Sequence, residues 1–207
     1  KNNFVKYYKK NMRSVGISKS MMRFRNTQFK SFIKKFKLSK KKIIELGSAD
    51  GEYLKILNKY CNQSYGLEYE KKNVITTKKN GLKVFRGYLN RQKYSIPKKP
   101  FDAFIIMSFL EHVPNLNNYL RCIYNNLNNN GYGLIEVPNY EMIKKKSLYT
   151  EFILDHLYYF TKNTLRNVLE FNGFEVLKIK EIWKEYIISA EVKKKKKDDL
   201  NDYKINF

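Results

Sequence analysis

The sequence predicts an α/β fold built on a mostly parallel sheet, and three stretches carry that reading. In residues 41–60 an apolar pair, Ile43 and Ile44, runs into Glu45 and then Gly47 and Gly51, and Tyr53, Leu54, Ile56 and Leu57 follow at helical spacing. That pattern is strand, tight glycine turn, helix N-terminus. Residues 63–69 read as a second strand that ends in an acid, Glu68. Residues 101–108, FDAFIIMS, are apolar nearly throughout, which suits a central strand covered on both faces.

Taken in order, residues 1–40 hold 13 Lys or Arg and no acid, with aromatic residues and Met between them. Amphipathic helices broken around Gly16 are expected there. Phe29, Phe32, Ile33 and Phe36 share one helix face at i, i+3, i+4, i+7. Residues 41–51 and 52–60 give the first strand and helix, residues 70–80 a short polar helix, and residues 82–86 a third strand. Pro97 and Pro100 mark a loop before the fourth strand. Leu116, Tyr119, Leu120, Ile123 and Leu127 line one side of a helix over 116–128. The run Asn128-Asn129-Asn130-Gly131-Tyr132-Gly133 reads as a turn, residues 133–137 as a fifth strand closed by Pro138-Asn139, and 140–155 as an inserted helical stretch. Residues 162–172 form a helix with Leu165, Val168, Leu169 and Phe171 toward the core, and Gly173 suits its C-terminal cap. The lysine run 193–197 reads as a solvated tail.

Glycine at positions 47 and 51 lets backbone approach a ligand closely. An acid at the end of the second strand can accept both hydroxyls of a ribose, as in dinucleotide-binding α/β folds, although the G-x-G-x-x-G fingerprint is absent. The segment Glu45-Leu46-Gly47-Ser48-Ala49-Asp50-Gly51 resembles the E/D-x-G-x-G-x-G motif of class I S-adenosylmethionine (SAM)-dependent methyltransferases, with Ala49 in place of the middle glycine. The resemblance extends over residues 41–192. It implies a Rossmann-like fold with seven strands, helices on both faces, and a closing antiparallel hairpin over 174–182 and 186–192. It also implies a catalytic domain over 41–192, preceded by a basic segment, 1–40, placed to act as a lid or as an ordinary helical layer, and followed by a charged tail, 193–207.

The same resemblance implies SAM as cofactor and S-adenosylhomocysteine (SAH) as product. Gly47, Ser48, Ala49 and Gly51 would pass close to the methionine part, Glu45 would organise that turn or accept from the SAM amino group, Glu68 with Tyr69 beside it would hold the ribose, and Tyr88 or Leu89 would border the adenine in place of the usual Asp. Phe109-Leu110-Glu111-His112-Val113 is similar to the family's EHV segment after the fourth strand and would bring Ser108 and His112 near the cofactor. The chain has two histidines, His112 and His156. An imidazole titrates near neutrality and can accept a hydroxyl proton. His156, with Tyr158 and Tyr159 beside it, is the candidate for substrate contact. His112, His156 and Tyr159 form the catalytic set, and the two histidines also have structural readings, His112 as a backbone-bonded side chain beside the cofactor and His156 as one that docks the inserted helix. No metal site is expected.

Composition narrows the partners. Net charge is +23, with 42 basic and 19 acidic residues, which attracts anionic small molecules, nucleic acid or an anionic membrane surface. A Lys-, Asn-, Ile- and Tyr-rich chain also fits an AT-biased coding sequence with a solvated surface. No apolar run approaches the length of a membrane span, and no charged-then-apolar leader is visible at Lys1. Cys61 and Cys122 lack metal spacing and suit free thiols in a reducing cytoplasm. The expected activity is methylation, on oxygen, of a small anionic molecule by a cytoplasmic enzyme of bacterial type. The preferred acceptor is a phosphorylated or nucleotide-linked precursor of a surface glycan. An RNA or protein methyltransferase and a non-catalytic SAM-binding module are the alternatives.

Overall fold

The computed structural model describes residues 18–196. They fall into two compact units, one up to Tyr88 and one from Leu89 on. The expected basic segment before residue 18 and the tail after residue 196 lie outside the described residues.

In the first unit, α1 (Lys19–Lys35) starts at Ser18, whose hydroxyl accepts the Met21 N–H at 3.2 Å. Its apolar face is the expected one: Phe29, Phe32 and Ile33 are buried. The Phe29 ring meets Tyr53 edge-on at 5.9 Å, and the Tyr60 hydroxyl donates to Asn26 at 2.9 Å. Helix α1 thus packs against α2 (Glu52–Asn58). Strands β1 (Lys42–Leu46), β2 (Gln63–Glu68) and β3 (Val84–Arg86) pair in parallel in the order β3-β2-β1, with Ile44 opposite Tyr65 and Leu67 opposite Phe85. Helix α3 (Lys71–Lys79) joins β2 to β3.

In the second unit, β4 (Phe101–Met107) is buried at all but one position, as its unbroken apolar run requires. It pairs in parallel with β5 (Leu127–Pro138). β5 begins six residues earlier than the expected residue 133, because Leu127 pairs with Phe101 ahead of a register shift. The Asn128 amide donates to Asp102 at 2.7 Å, so a polar run that reads as a turn is held at the sheet. Helix α4 (Leu116–Asn126) precedes β5. The stretch after β5 holds only a short helix, α5 (Tyr140–Lys145), and one 3-10 turn (Tyr149–Glu151). Helix α6 (Lys162–Phe171) opens with a capping box between Thr161 and Thr164. The closing hairpin is β6 (Phe174–Ile182) and β7 (Ile187–Lys194), and β7 lies antiparallel to both β5 and β6.

β7 also runs two residues into the expected tail. Lys194 is 9% exposed, donates to the Leu127 carbonyl at 2.9 Å and sits 4.2 Å from the Tyr124 ring centre. The seven strands form one sheet in the order β3-β2-β1-β4-β5-β7-β6, with six strands in one direction and β7 against them. No described helix is long and apolar enough to cross a membrane.

Candidate functional site

The chemistry-bearing residues form two clusters, one in each unit. The first surrounds the turn after β1. Gly47, Ala49 and Gly51 all take positive φ, at 75°, 42° and 81°. Ala49 thus occupies the left-handed conformation that a middle glycine would adopt freely. The N–H groups of Gly47 and Ser48 donate to the Leu67 carbonyl at 2.9 and 3.2 Å, which ties the turn to β2. Gly66 in β2 makes that approach possible: a Cβ there would stand 2.5 Å from the Ser48 Oγ. Gly51 is closed to any side chain, since its Cβ would lie 2.9 Å from the Thr77 methyl carbon. The Thr77 hydroxyl in turn donates to the Ala49 carbonyl at 3.2 Å.

Glu68 ends β2 and is the hub of this cluster. One carboxylate oxygen accepts the Ala49 N–H and the other the Glu70 N–H, each at 2.8 Å. Burial raises its carboxyl above the ordinary range, while those N–H groups, the Asn73 side chain and the Tyr69 N–H pull the other way. Glu45 is 2% exposed beneath the turn. It accepts from the Leu54 N–H near the start of α2, and its Oε2 has no hydrogen-bond partner. Burial, then repulsion from Glu68 and Glu52, raises its carboxyl well above the ordinary range. Tyr69 and Tyr88 meet edge-to-face at 6.2 Å beyond the ends of β2 and β3. The half-buried Tyr88 hydroxyl is pushed up to about 12 by burial, so the ring stays neutral.

The second cluster lies after β4. Ser108 is exposed with φ 48°, and its N–H donates to the Glu136 carbonyl at 2.9 Å. Leu89 is buried with the apolar core of its unit. A 3-10 turn, Leu110–His112, places Glu111 and His112 side by side, both buried. The Glu111 carbonyl accepts the N–H of both Leu157 and Tyr158, at 2.9 and 3.2 Å. His112 Nδ1 donates to the Asp155 carbonyl at 2.8 Å. These bonds fold the 155–158 segment onto the 3-10 turn and bring the His156 ring to 4.8 Å from that of His112. The expected site names both histidines, which lie together here, but not Glu111, although the EHV segment contains it.

Burial lowers both imidazoles, with carboxylates at Asp155 and, for His156, Glu151 opposing it. Burial thus favours the neutral form of both rings. Burial pushes the Glu111 carboxyl up to about 8. Tyr159 packs against His156, Phe152 and Tyr140, and its hydroxyl points at the Glu151 and Ile153 carbonyls at 3.5 and 3.4 Å. Lysines 144–146 are exposed, and Arg166 pairs with Glu170 at 3.4 Å.

A family model described as a methyltransferase domain matches residues 21–179. No curated protein matches the chain. Solved structures match in fold. A Pyrococcus horikoshii protein aligns at TM-score 0.70 and 14% identity, covering 92% of this chain and 99% of its own. A SAM-dependent methyltransferase from Aquifex aeolicus aligns at TM-score 0.63 and 18% identity, covering 83% and 92%. The magnesium protoporphyrin IX methyltransferase of Synechocystis, with bound SAH, aligns at TM-score 0.66 and 11% identity, covering 93% of each chain.

Proposed function

The chain belongs to this methyltransferase-domain family and has the class I SAM-dependent fold, and from that premise we propose that it methylates an oxygen of a small anionic molecule, a phosphorylated or nucleotide-linked precursor of a surface glycan. The observation that carries the SAM reading is Glu68. Its two oxygens are fixed by backbone N–H groups on either side, at the carboxyl end of β2, beside a turn of left-handed residues. Ligands of open α/β sheets lie beyond the carboxyl ends of the strands. Glu68 is proposed to accept the ribose hydroxyls, the Gly47–Gly51 turn to pass the methionine part, Glu45 to brace that turn, and Tyr69 and Tyr88 to border the adenine.

In the proposed transfer an acceptor oxygen would attack the methyl carbon as the carbon–sulfur bond breaks, with SAH as the leaving group. SAM supplies the activated methyl; the protein binds, aligns and handles the proton. A phosphate or carboxylate oxygen is already anionic and needs no base. A sugar hydroxyl does, and the neutral His156 imidazole is then the proposed acceptor of its proton. The net charge of +23 and the exposed lysines 144–146 support an anionic acceptor. The preference for a glycan precursor rests on residues 155–161 with Thr164-Leu165 and Gly173-Phe174, which resemble an H-x-x-x-F-x…T-L…G-F pattern of bacterial small-molecule methyltransferases that include sugar and surface-glycan enzymes.

The test is transfer of labelled methyl from SAM to a pool of nucleotide-linked sugars and glycan phosphates, run beside total RNA and protein. Base-stable label in the small-molecule fraction, absent without enzyme, is expected. Label confined to RNA or protein would overturn the acceptor class in favour of the reading that the charge also supports. SAM binding with no transfer to any pool would mark a non-catalytic module. His156→Ala then sorts hydroxyl from anionic acceptors, because a general base contributes about 10²–10⁴-fold to turnover.

A further inference from the structure

We propose that Glu111, His112 and His156 form a binding site for a divalent first-row transition ion of the Zn²⁺ or Co²⁺ type. The described residues contain one trio of His, Cys, Asp or Glu whose ligand atoms converge, and it is this one: an atom from each lies within 4.8 Å of the others. All three belong to the second unit.

Two of these side chains have buried atoms without a hydrogen bond. Glu111 is 1% exposed and its Oε2 has no partner; the buried Nδ1 of His156 has none either. Leaving such a group unsatisfied costs about 1–3 kcal/mol, and native proteins keep few of them. One cation would satisfy both together.

His112 is prepared in the way metal ligands are. A carbonyl oxygen can only accept, so the 2.8 Å contact to the Asp155 carbonyl puts the proton on Nδ1. The lone pair is left on Nε2, which stands 3.8 Å from Glu111 Oε1. A hydrogen bond from the far ring nitrogen to a carbonyl is the usual outer support of a ligating histidine. The frame is also set before any ion arrives. The Glu111 carbonyl holds Leu157 and Tyr158, so His156 is tied to the residue beside which it must bind.

Two imidazoles and one carboxylate are a borderline donor set, which favours zinc, cobalt, nickel or iron over calcium or magnesium. Bonds of about 2.0–2.2 Å require the most distant ligand atoms to draw together by about 1.5 Å. Three protein ligands leave a coordination position open, which an oxygen of the acceptor can take. In the ion-loaded protein His156 would be a ligand, and a hydroxyl acceptor bound to the ion would lose its proton to solvent water before transfer; direct proton transfer to the His156 imidazole is the route without the ion.

The experiment uses the whole untagged chain, stripped with EDTA and free of SAM, titrated with Co²⁺ and followed by its visible absorption, then by Zn²⁺ displacement. One equivalent is expected, at a dissociation constant of about 10 µM or below, with nitrogen-type ligand-field bands that Zn²⁺ abolishes. Glu111→Gln and His156→Ala should each weaken binding at least about tenfold, since even loss of an outer partner costs 10–100-fold. His156 is only half-buried, so His156→Ala carries the test if Glu111→Gln melts early. Absence of saturable Co²⁺ uptake, or uptake unchanged by His156→Ala, would overturn the site. Neither result depends on turnover, so the methyl-transfer reading stands or falls separately.

Discussion

Replacing Glu68 by Gln separates a ribose-binding carboxylate from a mere brace of the turn. In the native chain each carboxylate oxygen takes one backbone N–H, from Ala49 and from Glu70, at 2.8 Å. A glutamine has one carbonyl oxygen for those two donors, so its NH₂ must face the other. A hydrogen bond to a charged group is worth about 1.5–3 kcal/mol. Loss of one such bond to the ribose should raise the Kd for SAM by roughly 10- to 150-fold.

The protein itself should change little in stability. The folded-state carboxyl of Glu68 is raised above its unfolded value. Its favourable contribution is therefore complete below about pH 4.5 and is lost as pH rises through the folded value. A neutral side chain recovers that loss at neutral pH and gives back part of a hydrogen bond. Binding has the opposite pH sense: ribose hydroxyls donate to the ionised form, so wild-type affinity should strengthen as pH rises through the raised folded value of Glu68.

The assay is calorimetry with SAH and 2′-deoxy-SAH against both proteins. If Glu68 holds the ribose, the deoxy ligand loses affinity on the wild type and much less on Glu68→Gln, with a coupling of at least about 1 kcal/mol. Losses that add within about 0.5 kcal/mol would refute the reasoning, as would unchanged SAH affinity in a variant that melts lower.

Gly51→Ala meets both the left-handed φ and the Thr77 methyl; about 2–4 kcal/mol of lost stability is expected from the urea midpoint, together with lost SAM binding. Ala49→Gly should relieve a φ of 42° and leave stability equal or up to about 1 kcal/mol higher; a lower melting temperature would contradict the strain assigned there. Glu45→Gln should stabilise the ligand-free protein increasingly as pH rises above the ordinary carboxylate range, because the native acid is raised by burial and by two neighbouring acids; a pH-independent difference in denaturant midpoint would count against it. His156→Ala should lower turnover by about 10²-fold or more on a hydroxyl acceptor and only a few-fold on a phosphate oxygen, as read by single-turnover methyl transfer.

The first unit was readable because its logic is local. Ile43 and Ile44, then glycines, then a helical period, fix strand, turn and helix within twenty-odd residues, and Glu68 follows at the spacing that such a unit requires. What escaped reading depends on distant partners. Asn126 looks like a surface residue at a helix end. In the fold it is 2% exposed, accepts the Ile96 N–H at 2.8 Å and donates to the Tyr94 carbonyl at 2.7 Å, pinning the loop before β4. Lys194 was read as tail because a run of lysines is usually solvated. Its pairing opposite Phe174 and its contact with the Tyr124 ring are set by the hairpin, not by the run. Glu111 sat in plain view, yet its burial and its closeness to His156 arise from a segment more than forty residues away.

The strap between Glu111 and residues 157–158 uses only main-chain atoms of Glu111. Loop position and side-chain chemistry are therefore uncoupled at that residue. Changing it to Gln, Asp or Ser alters what is offered to a ligand while the carbonyl goes on holding the loop. The path of the loop therefore does not depend on which side chain stands at residue 111, whatever that change costs in the buried surroundings of the side chain.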